Sequence, residues 1–260
     1  MRLIKRNPYA APNPKDVDLR KATSDLIDLY PGDDFIRVVN NYKGDVDIRL
    51  HGPGNLFHED YRMVTTGTKR YLSHLSPGYT YTPANPTLTV SGQYSRRVRI
   101  SGFNRPVINK KLVITQTDPL TPPADEKRDP LQNVVVEDVD FLVSGESPVI
   151  SIACPGVVIR NCRFICESPI VNGITLIKVE KPGVFVQGCT TLGVERTKVG
   201  IKLWHLSGGP DYGVHVAVTD DDPRPVVVSD CLLECDTASV YVTAGRVVTS
   251  NCAGTIKRSF

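Results

Sequence analysis

From Val134 onward the hydrophobic positions fall into short runs that recur instead of forming one long periodicity. Five segments share a grammar: Val134-Val135-Val136-Glu137-Asp138-Val139, Val157-Val158-Ile159-Arg160-Asn161-Cys162, Val184-Phe185-Val186-Gln187-Gly188-Cys189, Val226-Val227-Val228-Ser229-Asp230-Cys231 and Val247-Val248-Thr249-Ser250-Asn251-Cys252. Each has three mostly β-branched residues, a polar residue, a turn-former and a small apolar residue. β-Branched runs of this length suit strands. Asp, Asn and Gly are the residues that enter a left-handed bend at least cost. The segments start 23, 27, 42 and 21 residues apart, and a second aliphatic run (149–152, 174–177, 201–204, 240–243) follows each of the first four by 14 to 17 residues.

Similarity that returns once per 21 to 27 residues is the mark of a solenoid, with the longer interval holding a loop. The pattern predicts an all-β fold, a right-handed single-stranded parallel β-helix, in which equivalent strands stack and like side chains form inward ladders. Val139, Cys162, Cys189, Cys231 and Cys252 make one such ladder. On this reading, Asp in place of Val158 or Val227 unfolds the adjoining turns, because a buried aliphatic rung contributes roughly 1.5–3 kcal/mol. An antiparallel sandwich is disfavoured, since it needs two- to five-residue turns between paired strands.

The first half differs. Residues 1–17 hold few large apolar groups and read as an extended arm. Residues 18–30 place Leu19, Ala22, Leu26 and Leu29 on one helical face, and Pro31-Gly32 stops the helix. Strands are predicted at 35–39 and 46–50, whereas 53–86 has no clear turn. An amphipathic helix ending in Pro31-Gly32-Asp33-Asp34 and running into an aliphatic strand resembles the N-terminal cap of the pectin-lyase-like β-helix superfamily. The runs at 157–164, 87–92 and 98–103 resemble that superfamily's coil consensus. The resemblance implies a cap helix plugging the coil and a β-helix domain over 18–260, clearest over 131–260. It is a likeness of fold and carries no single activity.

Charge and composition narrow the function. A net charge of +3 on 260 residues gives no basic stretch for nucleic acid. The basic start, Met1 to Pro8, has no apolar run of secretory length behind it, and no segment reaches membrane-spanning length, so synthesis in a host cytoplasm is expected. Seven cysteines, mostly inside strand patterns, read as reduced core residues. Cys162/Cys166 and Cys231/Cys235 repeat one offset on two turns, which stacking explains better than metal ligation.

Enzymes of the resembled superfamily cleave polysaccharides with paired carboxylates or by calcium-assisted elimination. Of the hydrolase motifs only Arg196-Thr197-Lys198 has a counterpart here. Asp220-Asp221-Asp222 reads as a solvated loop beside Pro223, and His51, His58-Glu59-Asp60 and His74 lie in a Gly/Pro-rich stretch without zinc-hydrolase spacing. His205 and His215 flank a glycine-rich loop beside Trp204, an aromatic that suits packing as well as a sugar platform. No cofactor, metal or catalytic set is expected. The resemblance, the signal-free start and the short arm point to a non-enzymatic structural protein of a bacteriophage virion, a capsid decoration or a neck or tail attachment protein. Its partners would be major capsid or tail proteins, reached through Arg2, Leu3, Ile4, Lys5, Arg6 and Tyr9 of the arm. No cap helix follows 247–249, so homotrimerisation or docking is expected to cover the last strand edges. The alternative is a tailspike-like domain that binds or depolymerises a polysaccharide.

Overall fold

The computed structural model describes residues 13–18, 26–29, 33–40, 46–51, 54–56, 87–92, 98–108, 111–115, 133–143, 147–166, 173–197, 200–204 and 209–259. Among these, every regular element is a β-strand, and the strands form three sheets. Numbered in chain order, sheet A stacks β1 (Asn13–Asp18), β3 (Asp33–Asn40), β6 (Thr87–Gly92), β9 (Lys111–Thr115), β12 (Ile150–Ala153), β15 (Thr175–Val179), β19 (Tyr212–Ala217), β21 (Ala238–Ala244) and β23 (Ile256–Arg258). Sheet B stacks β2 (Leu26–Leu29), β4 (Val46–His51), β7 (Val98–Phe103), β10 (Val134–Glu137), β13 (Val158–Arg160), β16 (Phe185–Gln187), β20 (Val226–Ser229) and β22 (Val247–Ser250). Sheet C holds β5 (Gly54–Leu56), β8 (Pro106–Ile108), β11 (Asp140–Val143), β14 (Arg163–Cys166), β17 (Thr190–Thr197) and β18 (Gly200–Trp204).

From β4 to β17 the chain visits B, C and A in turn, and the strands pair in parallel with their counterparts in neighbouring turns. This is a parallel β-helix-like solenoid. The five repeated segments are successive rungs of sheet B, as their grammar predicts. Their first and third residues point inward: Val134, Val136, Val157, Ile159, Val184, Val186, Val226 and Val228 are all fully buried. The middle residues point out, which corrects the choice of Val158 and Val227 as core positions; both are only half-buried. A pleated strand alternates faces, so a three-residue apolar run contributes two core residues and one outer one.

The turn-formers behave as their chemistry requires. Asp138, Asn161, Gly188, Asp230 and Asn251 all have positive φ, between 49° and 62°. Each bend redirects the chain from sheet B toward sheet C. The amide nitrogens of Asn161, Gly188 and Asp230 donate to the carbonyls of Gln187, Ser229 and Ser250 in the next turn at 2.9–3.0 Å, so the inter-turn ladder continues through the corner. The small apolar residue then turns inward, and Val139, Cys162, Cys189 and Cys231 form the expected buried column, with Cys252 partly buried at its end. Phe141 and Phe164 stack inside the next strand at 5.7 Å between ring centroids.

Three sequence expectations need correction. The second run of the third repeat, 201–204, belongs to β18, which pairs antiparallel with β17 as a hairpin extending sheet C, and β19 is the sheet A strand of that turn. Trp204 and its neighbours are as apolar as a core strand, so composition alone does not separate the two. The last residues of the expected cap helix, Leu26–Leu29, form strand β2 against β4, because Ile27 and Leu29 on either side of Asp28 also fit an alternating strand; residues 19–25 of that helix lie outside the described residues. Of the arm, residues 13–17 lie in β1, paired with β3, and 1–12 lie outside the described residues. Sheet C, which the repeat grammar does not separate, shrinks after β17 to single bridges at Leu232 and Ala253.

Candidate functional site

The outer surface of sheet B presents two parallel rows of side chains. Register places Asp47, Arg99, Val135, Val158, Phe185, Val227 and Val248 on successive rungs of one row. Its last five members are apolar, and Phe185 and Val248 are 47% and 51% exposed. A row two residues further along each strand runs Ser101, Glu137, Arg160, Gln187, Ser229, Ser250 and is polar throughout. On the other side the residues two positions before each member of the apolar row are Asn133, Gly156, Gly183, Pro225 and Arg246, and the Arg224 side chain lies over Gly183.

The polar row leads to a corner built from ion pairs. Glu137 is only 3% exposed and sits between two guanidiniums, with Arg99 Nε donating to Oε1 and Arg160 Nε to Oε2. Two residues past the bend, Asp140, 2% exposed, accepts from Arg163 Nε at 2.8 Å and from the same guanidinium's terminal nitrogen, with Arg105 3.6 Å away. Rung stacking makes this possible: Glu137 pairs in register with Arg160, and Asp140 with Arg163. Arg99, Glu137, Arg160, Gln187 and Asp230 line a shallow groove of about 560 Å³. Asp230 is held below the usual carboxylate range by hydrogen bonds from Asn251 and Gln187. A carboxylate already accepting such donors is a weak base.

Sheet A carries a second patch. Tyr212 and Tyr241 stack with centroids 4.7 Å apart, and His215 packs against Tyr241 at 5.1 Å. Thr243 Oγ1 spends its one proton on the Val216 carbonyl at 3.2 Å, so its 3.0 Å contact with His215 Nε2 requires that nitrogen to donate. In the neutral ring, Nδ1 is then the acceptor. Burial, followed by the nearby Lys178 charge, lowers the His215 pKa and favours that neutral form.

The other sequence candidates are dispersed. Asp220 pairs with Lys181 at 3.0 Å, and Asp222 takes a bidentate contact from Arg224, which pulls its pKa down. His51 bonds Asp28 at 2.8 Å and stacks on Phe103. Arg196 lies in β17, while Lys198, His58, Glu59, Asp60, His74, His205 and the proposed contact residues Arg2, Leu3, Ile4, Lys5, Arg6 and Tyr9 lie outside the described residues. Among the described residues no group of three or more His, Cys, Asp or Glu side chains is arranged to hold a metal ion. Sequence reading missed the Glu137 and Asp140 ion pairs and the Tyr212–Tyr241 stack. Aligning the repeats rung by rung and reading across them, at 137 and 160 or 140 and 163, is the signal that finds the ion pairs. Compared with known proteins, the chain matches no family model, no curated protein and no solved structure.

Proposed function

We propose that the chain is a non-enzymatic structural protein of a bacteriophage virion, a capsid decoration or a neck or tail attachment protein that works by protein–protein contacts. The finer fold reading accompanies it: a right-handed, pectin-lyase-like coil with an N-terminal cap and a contact arm at its start. The observation that carries the proposal is the outer face of sheet B, an exposed apolar row bounded by a polar one, which has the make-up of a contact surface. Three carboxylates near that face, Glu137, Asp140 and Asp230, are engaged by arginine or amide donors, which suits scaffolding better than proton transfer. Removing residues 1–12, which precede β1, is expected to abolish incorporation into particles while leaving the circular dichroism of the protein unchanged. Normal incorporation of the truncated chain would refute the arm's role.

A second reading, polysaccharide binding, is favoured by the Tyr212–His215–Tyr241 patch. Aromatic rings offer faces or edges to sugar C–H groups, and a neutral imidazole nitrogen accepts a hydroxyl. Titration with host capsule or lipopolysaccharide separates the readings. Binding lost in Tyr241→Ala, with or without new reducing ends, would support the second, and no binding by the intact chain would remove it.

A further inference from the structure

We infer that the Tyr212–His215–Tyr241 patch on sheet A is gated by a proton: a sugar binds while the His215 ring is neutral and is released when the ring takes up a proton in mild acid. The inference rests on the polysaccharide reading and names how that site is regulated. His215 Nε2 donates to Thr243 Oγ1, whose own proton goes to the Val216 carbonyl, so this nitrogen is committed. Among the described residues Nδ1 has no hydrogen-bond partner, which leaves it both as the ring's acceptor and as the place where a proton must add. The two roles exclude each other.

The surroundings decide which way the competition runs. Two strands pair with β19, and register sets Lys178 of β15 and Tyr241 of β21 on either side of His215, with Lys257 of β23 one rung further. Tyr212 completes the ring cluster from β19 itself, 4.7 Å from Tyr241 between centroids. Of the charges acting on the ring, Lys178 opposes a proton and Glu180 favours one, and Glu180 is already held by Lys178 at 2.6 Å. In the free protein an imidazolium here can still turn to water. Under a bound sugar it cannot, because the ligand removes the water that would solvate the charge beside Lys178. A sugar hydroxyl can rotate to accept from the protonated ring, but that single bond is set against both the lost water and the like charge. Covering the patch therefore disfavours the imidazolium, and by reciprocity the proton weakens the sugar. The ring's pKa already lies below the ordinary 6.5, so the gate works in the acid range under that value.

The test uses the full chain with host lipopolysaccharide and capsule as probes, titrated from about pH 7.5 to about pH 4.5, with circular dichroism over the same range for each chain. If only the neutral form binds, affinity should fall about tenfold per pH unit below the His215 midpoint measured by NMR on the free chain. His215→Gln keeps an amide donor for Thr243 and has no proton to gain, so it should bind more weakly at neutral pH and lose this slope. Lys178→Gln removes the like charge and releases Glu180, so it should move both the NMR midpoint and the release to higher pH. An affinity independent of pH, tighter binding in acid, or a slope that survives in His215→Gln overturns the gate and leaves the polysaccharide reading standing. Should His215→Gln not bind at all, Lys178→Gln decides, and an unmoved release overturns the gate. No binding by the intact chain at neutral pH removes the reading and the gate together.

Discussion

Side chains in this solenoid answer to the rungs above and below them more than to their sequence neighbours. The thiols are the clearest case. Burial pushes Cys154 and Cys166 from 9.0 up to about 12. Their folded-state pKa exceeds the unfolded one, so the unfolded chain loses these protons first as pH rises. The stability tied to the neutral thiols is whole below pH 9 and drains away between 9 and about 12. Each group removes up to about 1.4 kcal/mol per pH unit. Urea denaturation from pH 8 to 11 should show this fall, and Cys166→Val should flatten it. Glu137 supplies a second residue-scale prediction. Its two arginines are 40% and 45% exposed and can return to water, so Glu137→Ala should cost only about 1–2 kcal/mol. Removing both arginines strands a buried carboxylate and should cost about 3–5 kcal/mol, measured in the same denaturation assay.

At the scale of the strand, alternation decides what a repeat means. Val226 and Val228 are fully buried while Val227 between them is half-buried. Val228→Asp should therefore abolish the cooperative melt of the adjoining turns, while Val227→Asp should melt within a few degrees of the parent. Equal effects would contradict the assigned facing. The corner is just as specific. Gly188 has a φ of 62°, and a Cβ there would lie 2.6 Å from Asn161 Oδ1. Gly188→Ala meets both that contact and the left-handed backbone, so a loss of about 1–2 kcal/mol is expected. Gly188→Asn, keeping the left-handed preference, should lose less unless the contact with Asn161 dominates.

At the scale of the molecule, a solenoid holds each turn only through its neighbours. Burial is complete at the inward positions of the middle rungs and fades along β22 and β23, where Val247 is only half-buried and Ile256 is 47% exposed. Sheet C has also shrunk to bridges by then. Hydrogen exchange should be slowest at the amides of β10 to β16 and rise stepwise toward β23. Uniform protection to Arg258 would mean that the last turn is covered by something else. The same gradient sets where a charge should be tolerated, and it favours a central, well-ordered rung such as Phe185 for an interface.

The repeat grammar by itself determined the stacked strands of sheet B, the left-handed corners at 138, 161, 188, 230 and 251, and the inward cysteine column. Those features are local: a β-branched run, a turn-former and a small residue each state their preference within six positions. Only the tertiary structure decided that sheet C exists as a third face, that 201–204 doubles back as a hairpin, and that Leu26–Leu29 is a strand. Those outcomes depend on which strand lies next to which: residues more than twenty positions apart settle it for sheet C and for Leu26–Leu29, and the neighbouring strand β17 settles it for 201–204. The candidate contact face lies between the two cases. Its residues are plain in the repeats, but Val135, Val158, Phe185, Val227 and Val248 become one surface only when the register aligns them, because a row across rungs is a property of pairing and not of any one segment.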